Sequence, residues 1–305
     1  MFRDGDTVAL RIGYLGPPGT FSEEAALEVA PAAAHVPFGD IPGVVRAAET
    51  GAVDEALVPL ENSTEGAVTL TTDLLVHHTD LRIRREVVVP VHHCLLTARD
   101  VALEEVRVVY SHPQAIAQCR DFLARRLPGV EAVASLSTVS AVRDMREAGR
   151  AAGAISSRRA ADVFGAFVAA SDIEDIQGNR TRFIVLGRGD AGRTGRDRTS
   201  ICFDFSSDGP GILHAVLGEL AARRINMFKV ESRPARSSLG RYIFLIDVEG
   251  HREDAVVAEA LDRIRARTSS LKILGSYPRA PDDSDETPAR VSPEKAHGEA
   301  DTGSR

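Results

Sequence analysis

The sequence predicts an α/β unit over residues 8–187 and a ferredoxin-like βαββαβ sandwich over residues 199–280. Three observations predict it. From Val8 to Leu186 short β-type runs alternate with amphipathic helical runs, the pattern of helices covering a largely parallel sheet. Residues 188–198, "RGDAGRTGRDR", contain three glycines, many charges and no large apolar side chain, which reads as a linker. Strand, helix, strand, strand, helix and strand patterns then follow one another in the second unit. A chain of 305 residues with 43% hydrophobic content can fill two cores.

In chain order, "TVALRIGYLG" reads as the first strand. Gly16-Pro17-Pro18-Gly19 is a turn, and Thr20 or Ser22 caps a helix running through Glu23 to Val29. "EALVPLEN" is a second strand, "AVTLTTDLLVHH" a helix, and "VVVPVHHCLL" a strand interrupted by Pro90. "VRVVYSHPQAIAQCRDFL" passes from strand to helix with Pro113 near the helix start, and "AGAISSRRAADVF" repeats the plan. Past the linker, Ile201, Phe203 and Phe205 alternate along a strand. Ile212, Leu213, Val216, Leu217 and Leu220 share one helical face. "INMFKVESRP" and "GRYIFLIDVEG" are strands joined by a Ser-Ser-Leu-Gly turn, Asp254 to Arg265 is a helix, and "LKILGSY" is the last strand. Residues 281–305 lack aromatics and are rich in Asp, Glu, Ser and Pro, so disorder is expected there.

The net charge is −7, of which the stretch from Asp282 to Arg305 contributes −4 and the remainder −3. Nothing in this balance points to nucleic acid. The amino-terminal stretch carries charges where a signal peptide needs an apolar core, and no run of apolar residues is long enough to span a bilayer. A cytoplasmic protein without membrane contact is expected. Cys94, Cys119 and Cys202 have no metal-type spacing and read as buried thiols. Adjacent residues diverge, so neither His77-His78 nor His92-His93 can chelate one ion together, and His77 and His78 suit a helix C-terminus. "GPPGTFS" lacks the lysine and the spacing of a phosphate-binding loop, and its prolines remove donors.

Hydroxyl, amide or basic groups lie just past strand ends at Gly19-Thr20-Phe21-Ser22, Glu61-Asn62-Ser63, Ser111-His112-Pro113-Gln114, Ser137-Thr138 and Asn179-Arg180-Thr181-Arg182. A row of helix N-termini at one sheet edge invites an anion. Ser137 and Thr138 read as helix caps. A strand start does not itself need the hydroxyl of Thr181 or the guanidinium of Arg182. An anionic ligand does.

"GPPGTFSEEAAL", "VPLENSTEGAV", "SHPQAIAQC", "STVSAV", "AISSRRAA" and "NRTRFIVLG" occur in this order ahead of a βαββαβ domain containing "ESRP". Over roughly residues 8–278 this set resembles prephenate dehydratase, the phenylalanine-biosynthesis family with a C-terminal ACT domain. The resemblance implies two α/β lobes like a type II periplasmic binding protein with the site between them, a lyase, and no metal, nucleotide or organic cofactor; with no chorismate mutase segment ahead of Val8, a monofunctional enzyme is expected. It places the catalytic threonine at Thr181 and substrate contacts at Thr20, Ser22, Glu61, Asn62, Ser63, His112, Gln114, Asn179, Arg182 and Phe183. Arg182 is expected to grip a carboxylate and Glu61 to orient a donor. In the ACT domain it places effector contacts at Gly211, Ile212, Leu213 and His214, where the family has Gly-Ala-Leu-Val, and at Glu231, Ser232, Arg233 and Pro234. Implied partners are prephenate as substrate, phenylalanine as allosteric effector, and further copies of the chain in a homodimer or homotetramer. Arogenate dehydratase and a non-catalytic sensor of small anions are the competing readings.

Overall fold

The computed structural model describes residues 9–99, 101–149, 151–207, 209–235 and 241–281. The tail expected to be disordered (282–305), the first residues of the expected first strand and the Ser237–Gly240 turn lie outside the described residues.

Lobe 1 is built from β1 (Arg11–Leu15), α1 (Phe21–Val29), β2 (Ala34–Phe38), α2 (Ile41–Thr50), β3 (Glu55–Asn62), β4 (Gly66–Ala67), α3 (Thr69–His77) and β5 (Arg82–Pro90). Lobe 2 follows with β6 (Cys94–Thr97), a 3-10 turn at Leu103–Glu105, β7 (Val108–Ser111), α4 (Pro113–Gln118) and α5 (Arg120–Arg126). It continues through β8 (Glu131–Ala134), α6 (Thr138–Ala148), β9 (Ala152–Ser156), α7 (Arg158–Phe164) and β10 (Phe167–Ala170), and the chain returns to lobe 1 as β11 (Arg180–Gly187). The C-terminal domain comprises β12 (Asp197–Asp204), α8 (Ile212–Ala222), β13 (Met227–Pro234), β14 (Tyr242–Glu249), α9 (Ala255–Arg265) and β15 (Ser270–Pro278), the expected βαββαβ order.

The sheets are mixed rather than largely parallel. Lobe 1 has the order β2-β1-β3-β11-β5, with β4 paired to β3, and lobe 2 has β10-β6-β9-β7-β8. β1 is parallel to β2 and β3, whereas β11 is antiparallel to both β3 and β5. The cause is the double crossing between lobes. β5 ends at Pro90 where β11 begins, with Arg180 opposite Pro90, so the returning strand runs back along the departing one. What reads in sequence as one strand broken by Pro90 is therefore two strands in different sheets. The crossing segments are bonded together: Val91 N–H donates to Asn179 O at 2.8 Å and Ile173 N–H to His93 O at 3.0 Å.

The core of lobe 1 is divided by its sheet. Ile12, Tyr14, Leu57, Phe183 and Val185 pack under α1 on one face. On the other, Ile83, Ile184 and Leu186 join Cys202, Leu245, Leu274 and Tyr277 of the C-terminal domain in one buried cluster. α8 and α9 cover the opposite side of the C-terminal sheet. The two sheets come so close that a Cβ at Gly275 would lie 2.3 Å from Ile83 O, so only glycine fits. Lys272 Nζ donates to Leu75 O at 2.8 Å and Thr79 O at 2.7 Å, placing a cation from the C-terminal domain at the end of α3. All three cysteines are buried and free, and burial pushes the Cys202 thiol up to about 11. No helix among the described residues is long and apolar enough to cross a membrane.

Candidate active site

A cavity of about 270 Å³ opens between the lobes. Phe21, Asn62 and Thr181 face it from lobe 1, and His112, Gln114, Gln118, Leu136, Ser137 and Thr138 from lobe 2. Val91, His93 and Asn179 of the crossing segments form its floor. Among the described residues that line it there is no lysine or arginine. Positive potential comes instead from the start of α6, capped by Ser137, whose Oγ accepts from Ser140 N–H at 2.9 Å.

The centre of this site is fixed by strand register. Thr181 of β11 lies directly opposite Asn62 of β3. Asn62 Oδ1 accepts from the backbone N–H groups of Thr64 (3.0 Å) and Glu65 (3.2 Å), which assigns the amide nitrogen to the other side. There Nδ2 donates to Thr181 Oγ1 at 2.9 Å. With its oxygen already accepting, the threonine has its one proton to give to the cavity.

Around this pair runs a web of polar groups. Ser63 Oγ donates to Asn179 Oδ1 at 3.2 Å and accepts from Arg180 N–H at 2.9 Å. Gln118 Nε2 donates to Glu65 Oε1 at 3.2 Å, so its Oε1 accepts, and His93 Nε2 lies 2.9 Å from it. That contact assigns the Nε2–H tautomer to His93, leaving Nδ1 without a partner among the described residues. Burial holds the His93 pKa below its ordinary value, so the ring is neutral at pH 7.

The structure thus brings Asn62, His112, Gln114, Asn179 and Thr181 of the expected set to one cavity. Five of the others are placed elsewhere, and Ser63 supports from behind. Thr20 caps α1, accepting from Glu23 N–H at 3.3 Å, and Ser22 is buried beneath it. Their loop is pinned to lobe 2 by Ser157 Oγ donating to Gly19 O (2.7 Å) and by the Arg159–Glu23 ion pair (2.8 Å). Gly19, at φ +93°, sits 3.1 Å in Cβ terms from Ala160 Cα, so this loop joins the lobes, and of its residues Phe21, not Thr20 or Ser22, faces the cavity. Phe183 is 2% exposed in the core under α1. Glu61 and Arg182 project from the opposite sheet face, because neighbours along a strand alternate. They line a separate cavity of about 280 Å³ against the C-terminal domain, so the expectation that Arg182 grips a substrate carboxylate is corrected. His93, Gln118, Phe21, Val91 and Leu136 were not expected. Ser137 and Thr138, which in the sequence read as helix caps alone, also line the inter-lobe cavity.

A further cavity, of about 250 Å³, lies in the C-terminal domain and takes in Gly211, Ile212, Leu213 and His214 with Phe205, Arg241, Tyr242 and Phe244. Gly211 begins α8 at φ +87° with nothing among the described residues within 4 Å of a would-be Cβ, so its backbone is open to the cavity. Glu231–Pro234 are not part of it. Glu231 bonds Arg233 at 2.8 Å, and Arg233 Nη1 reaches Thr69 O (3.1 Å) and Asp73 (3.0 Å) of α3, while Ser232 and Pro234 are exposed. His92 and His93 diverge. His92 Nδ1 lies 3.0 Å from both Asp172 and Glu174, the one metal-type group of three among the described residues.

Two family models match the chain: prephenate dehydratase over residues 12–191 and ACT domain over residues 200–266. A bifunctional chorismate mutase/prephenate dehydratase of Neisseria gonorrhoeae is 42% identical over 274 residues, covering 89% of this chain and 75% of that one. The structure of an Arthrobacter aurescens prephenate dehydratase in complex with L-Phe superposes with a TM-score of 0.82 at 35% identity, covering 93% of each chain. GqqA, described as a novel type of quorum quenching acylase, superposes with a TM-score of 0.81 at 31% identity, covering 89% of this chain and 98% of that one.

Proposed function

The chain belongs to the prephenate dehydratase family, and from that premise we propose that the inter-lobe cleft converts prephenate to phenylpyruvate, carbon dioxide and water with Thr181 as its catalytic donor. The observation that carries this reading is the Asn62–Thr181 bond, which frees one hydroxyl proton for the cavity. In the reaction the bond to the ring carboxylate breaks and its electron pair enters the ring, which becomes aromatic as the C–O bond to the ring hydroxyl breaks. The departing hydroxide takes one proton and leaves as water. Thr181 donates a hydrogen bond to that oxygen as its negative charge grows. The proton comes from water or from His112 at the cavity wall.

With no lysine or arginine among the described residues of the cavity wall, the side-chain carboxylate is held by the N–H groups at the start of α6, beside Ser137 and Thr138. The ring and the carboxylate to be lost face Phe21, Val91 and Leu136, where poor solvation of the charged form favours its conversion to neutral carbon dioxide. Acyl transfer would need a base on the attacking hydroxyl. The side chain bonded to Thr181 is the donor amide of Asn62, which favours donation over attack.

Phenylalanine is the effector of the ACT domain. Its carboxylate suits the open backbone at Gly211 and the start of α8, and its ring the Phe205–Phe244 wall. β13 is an edge strand, with Val230 and Tyr242 both exposed near it, and pairing of two such edges gives a homodimer or homotetramer in which Ser232 and Pro234 of one copy approach residues 211–214 of the other.

The test is to incubate the purified protein separately with prephenate and with arogenate and to quantify phenylpyruvate and phenylalanine. Phenylpyruvate from prephenate, suppressed by added phenylalanine, is expected. Turnover of arogenate alone would reassign the substrate, and turnover of neither would remove the catalytic reading.

A further inference from the structure

On the face of β11 and β3 that looks away from the cleft, the strands repeat the Thr181–Asn62 pairing one residue along, as Arg182 opposite Glu61. Both of these residues are held by the ACT domain. The Arg182 guanidinium is 11% exposed. Its Nη1 donates to Asp247 Oδ2 at 2.8 Å and its Nη2 to Tyr277 Oη at 2.9 Å, both on the ACT sheet, while Nε donates to Glu86 of β5 at 2.7 Å. Glu61 accepts from Lys229 Nζ of β13 at 3.2 Å. Lys229 is also paired with Glu231, which holds Arg233.

The partners are themselves fixed. Ser200 Oγ donates to Asp247 Oδ1 at 2.6 Å and lies 2.6 Å from Tyr277 Oη, and Arg198 reaches Glu86 at 3.1 Å. Among the described residues, the guanidiniums of Arg182 and Arg198 thus face the carboxylates of Glu86 and Asp247 in a buried set. Such a set adds little stability over an apolar contact of the same volume, and what it fixes is position. The register of β11 against β3 shifts between Arg182 and Phe183, so the end of the strand that carries Thr181 is set apart from its apolar remainder.

We propose that Arg182 and Glu61 are positioning residues: the ACT domain grips this back pair, through Asp247, Tyr277 and Lys229, and so sets the alignment of the Thr181–Asn62 pair on the cleft side. Side chains of successive strand residues leave one backbone in opposite directions, so a displacement of the back pair moves the front pair with it. Effector binding in the ACT domain thereby reaches the catalytic hydroxyl without any contact with the substrate, and it does so by changing turnover rather than substrate affinity. The inference rests on the assignment of Thr181 as the catalytic donor.

The experiment uses the full-length protein with Lys229→Met, Lys229→Arg and Arg182→Lys. Lys229 lies outside the cleft and is partly exposed, so its variants are expected to fold. Prephenate turnover, phenylalanine inhibition and hydrogen exchange of peptides covering residues 59–65 and 179–183 are measured with each. Lys229→Met is predicted to lower kcat by about tenfold with KM unchanged. It is also predicted to lose most of the phenylalanine response and to speed exchange in those two peptides. Lys229→Arg restores all three. Arg182→Lys lowers kcat, not the affinity for prephenate. A raised KM with normal kcat in Arg182→Lys would make Arg182 a substrate ligand and overturn the proposal. So would wild-type exchange and inhibition in Lys229→Met. Exchange is read without substrate, so a parent protein inactive on prephenate would sink the functional reading while the exchange result still decided whether the ACT domain holds the pair.

Discussion

At Thr181 the direction of a single proton follows from Asn62, whose Oδ1 is occupied by two backbone N–H groups and whose Nδ2 must therefore face the threonine. Asn62→Asp changes little in shape but replaces that donor with a carboxylate oxygen, which would capture the hydroxyl proton for itself. The expected result is a fall in kcat of about a hundredfold, comparable to loss of one oxyanion donor, with KM changed far less. Steady-state kinetics on prephenate check it. Polar groups past strand ends put Thr181, Asn62, His112, Gln114 and Asn179 among the candidates, the family resemblance singled them out, and the structure gathers these five at one cavity. They misplaced Arg182 and Glu61, since a motif written along a strand does not show which residues alternate to the other face, or that a second domain covers that face. His93 and Gln118 carried no sequence signal. Their role depends on the crossing segments meeting beside the cavity.

Among the elements, α6 has a structural task and, in the proposed reading, a binding one. Its capping box joins Ser137 and Ser140 reciprocally, and Ser137 and Thr138 of the same turn line the cavity. Ser137→Ala is predicted to lower stability by about 1 kcal/mol and to raise KM for prephenate more than it lowers kcat; denaturant titration and kinetics separate the two effects. At the domain junction Gly275→Ala would place a methyl 2.3 Å from Ile83 O, forcing β15 away from β5. A marked loss of thermal stability is expected, with wild-type stability contradicting the close approach. Most of the strands and helices were legible as periodic runs between turn residues, and "EALVPLEN" coincides with β3. The antiparallel placing of β11 was not, because it follows from where the chain re-enters lobe 1 rather than from any local pattern. Pro90 marked a boundary correctly, but sequence alone made it a flaw in one strand instead of the crossing between lobes.

For the whole molecule, the shared core of lobe 1 and the ACT domain means that neither is a free-standing unit. Cutting the chain after Gly189 would expose Ile184, Leu186 and Ile83 and leave Arg182 and Glu86 without their ACT partners. The truncated protein is expected to aggregate or unfold rather than to act as an unregulated enzyme. The junction also has a pH signature. Burial alone would raise the pKa of Asp247, but Arg182, Ser200 and Arg198 outweigh it and hold the carboxyl below its ordinary value. A depressed folded-state pKa adds stability that is fully present above the unfolded value of about 3.9 and is lost as pH falls through the folded value. Asp247→Asn should therefore be less stable than the parent at pH 7, with the gap narrowing below about pH 4 in urea titrations. All of these effects bear on one hydroxyl, and the measurement that tests it most directly is turnover of prephenate by Thr181→Ala beside Thr181→Ser. The alanine variant is predicted to lose about a hundredfold or more in kcat with KM little changed, and the serine variant to keep part of the activity. Near-normal turnover by Thr181→Ala would contradict the account, because the hydroxyl that Asn62 aims into the cleft would then have no part in the reaction.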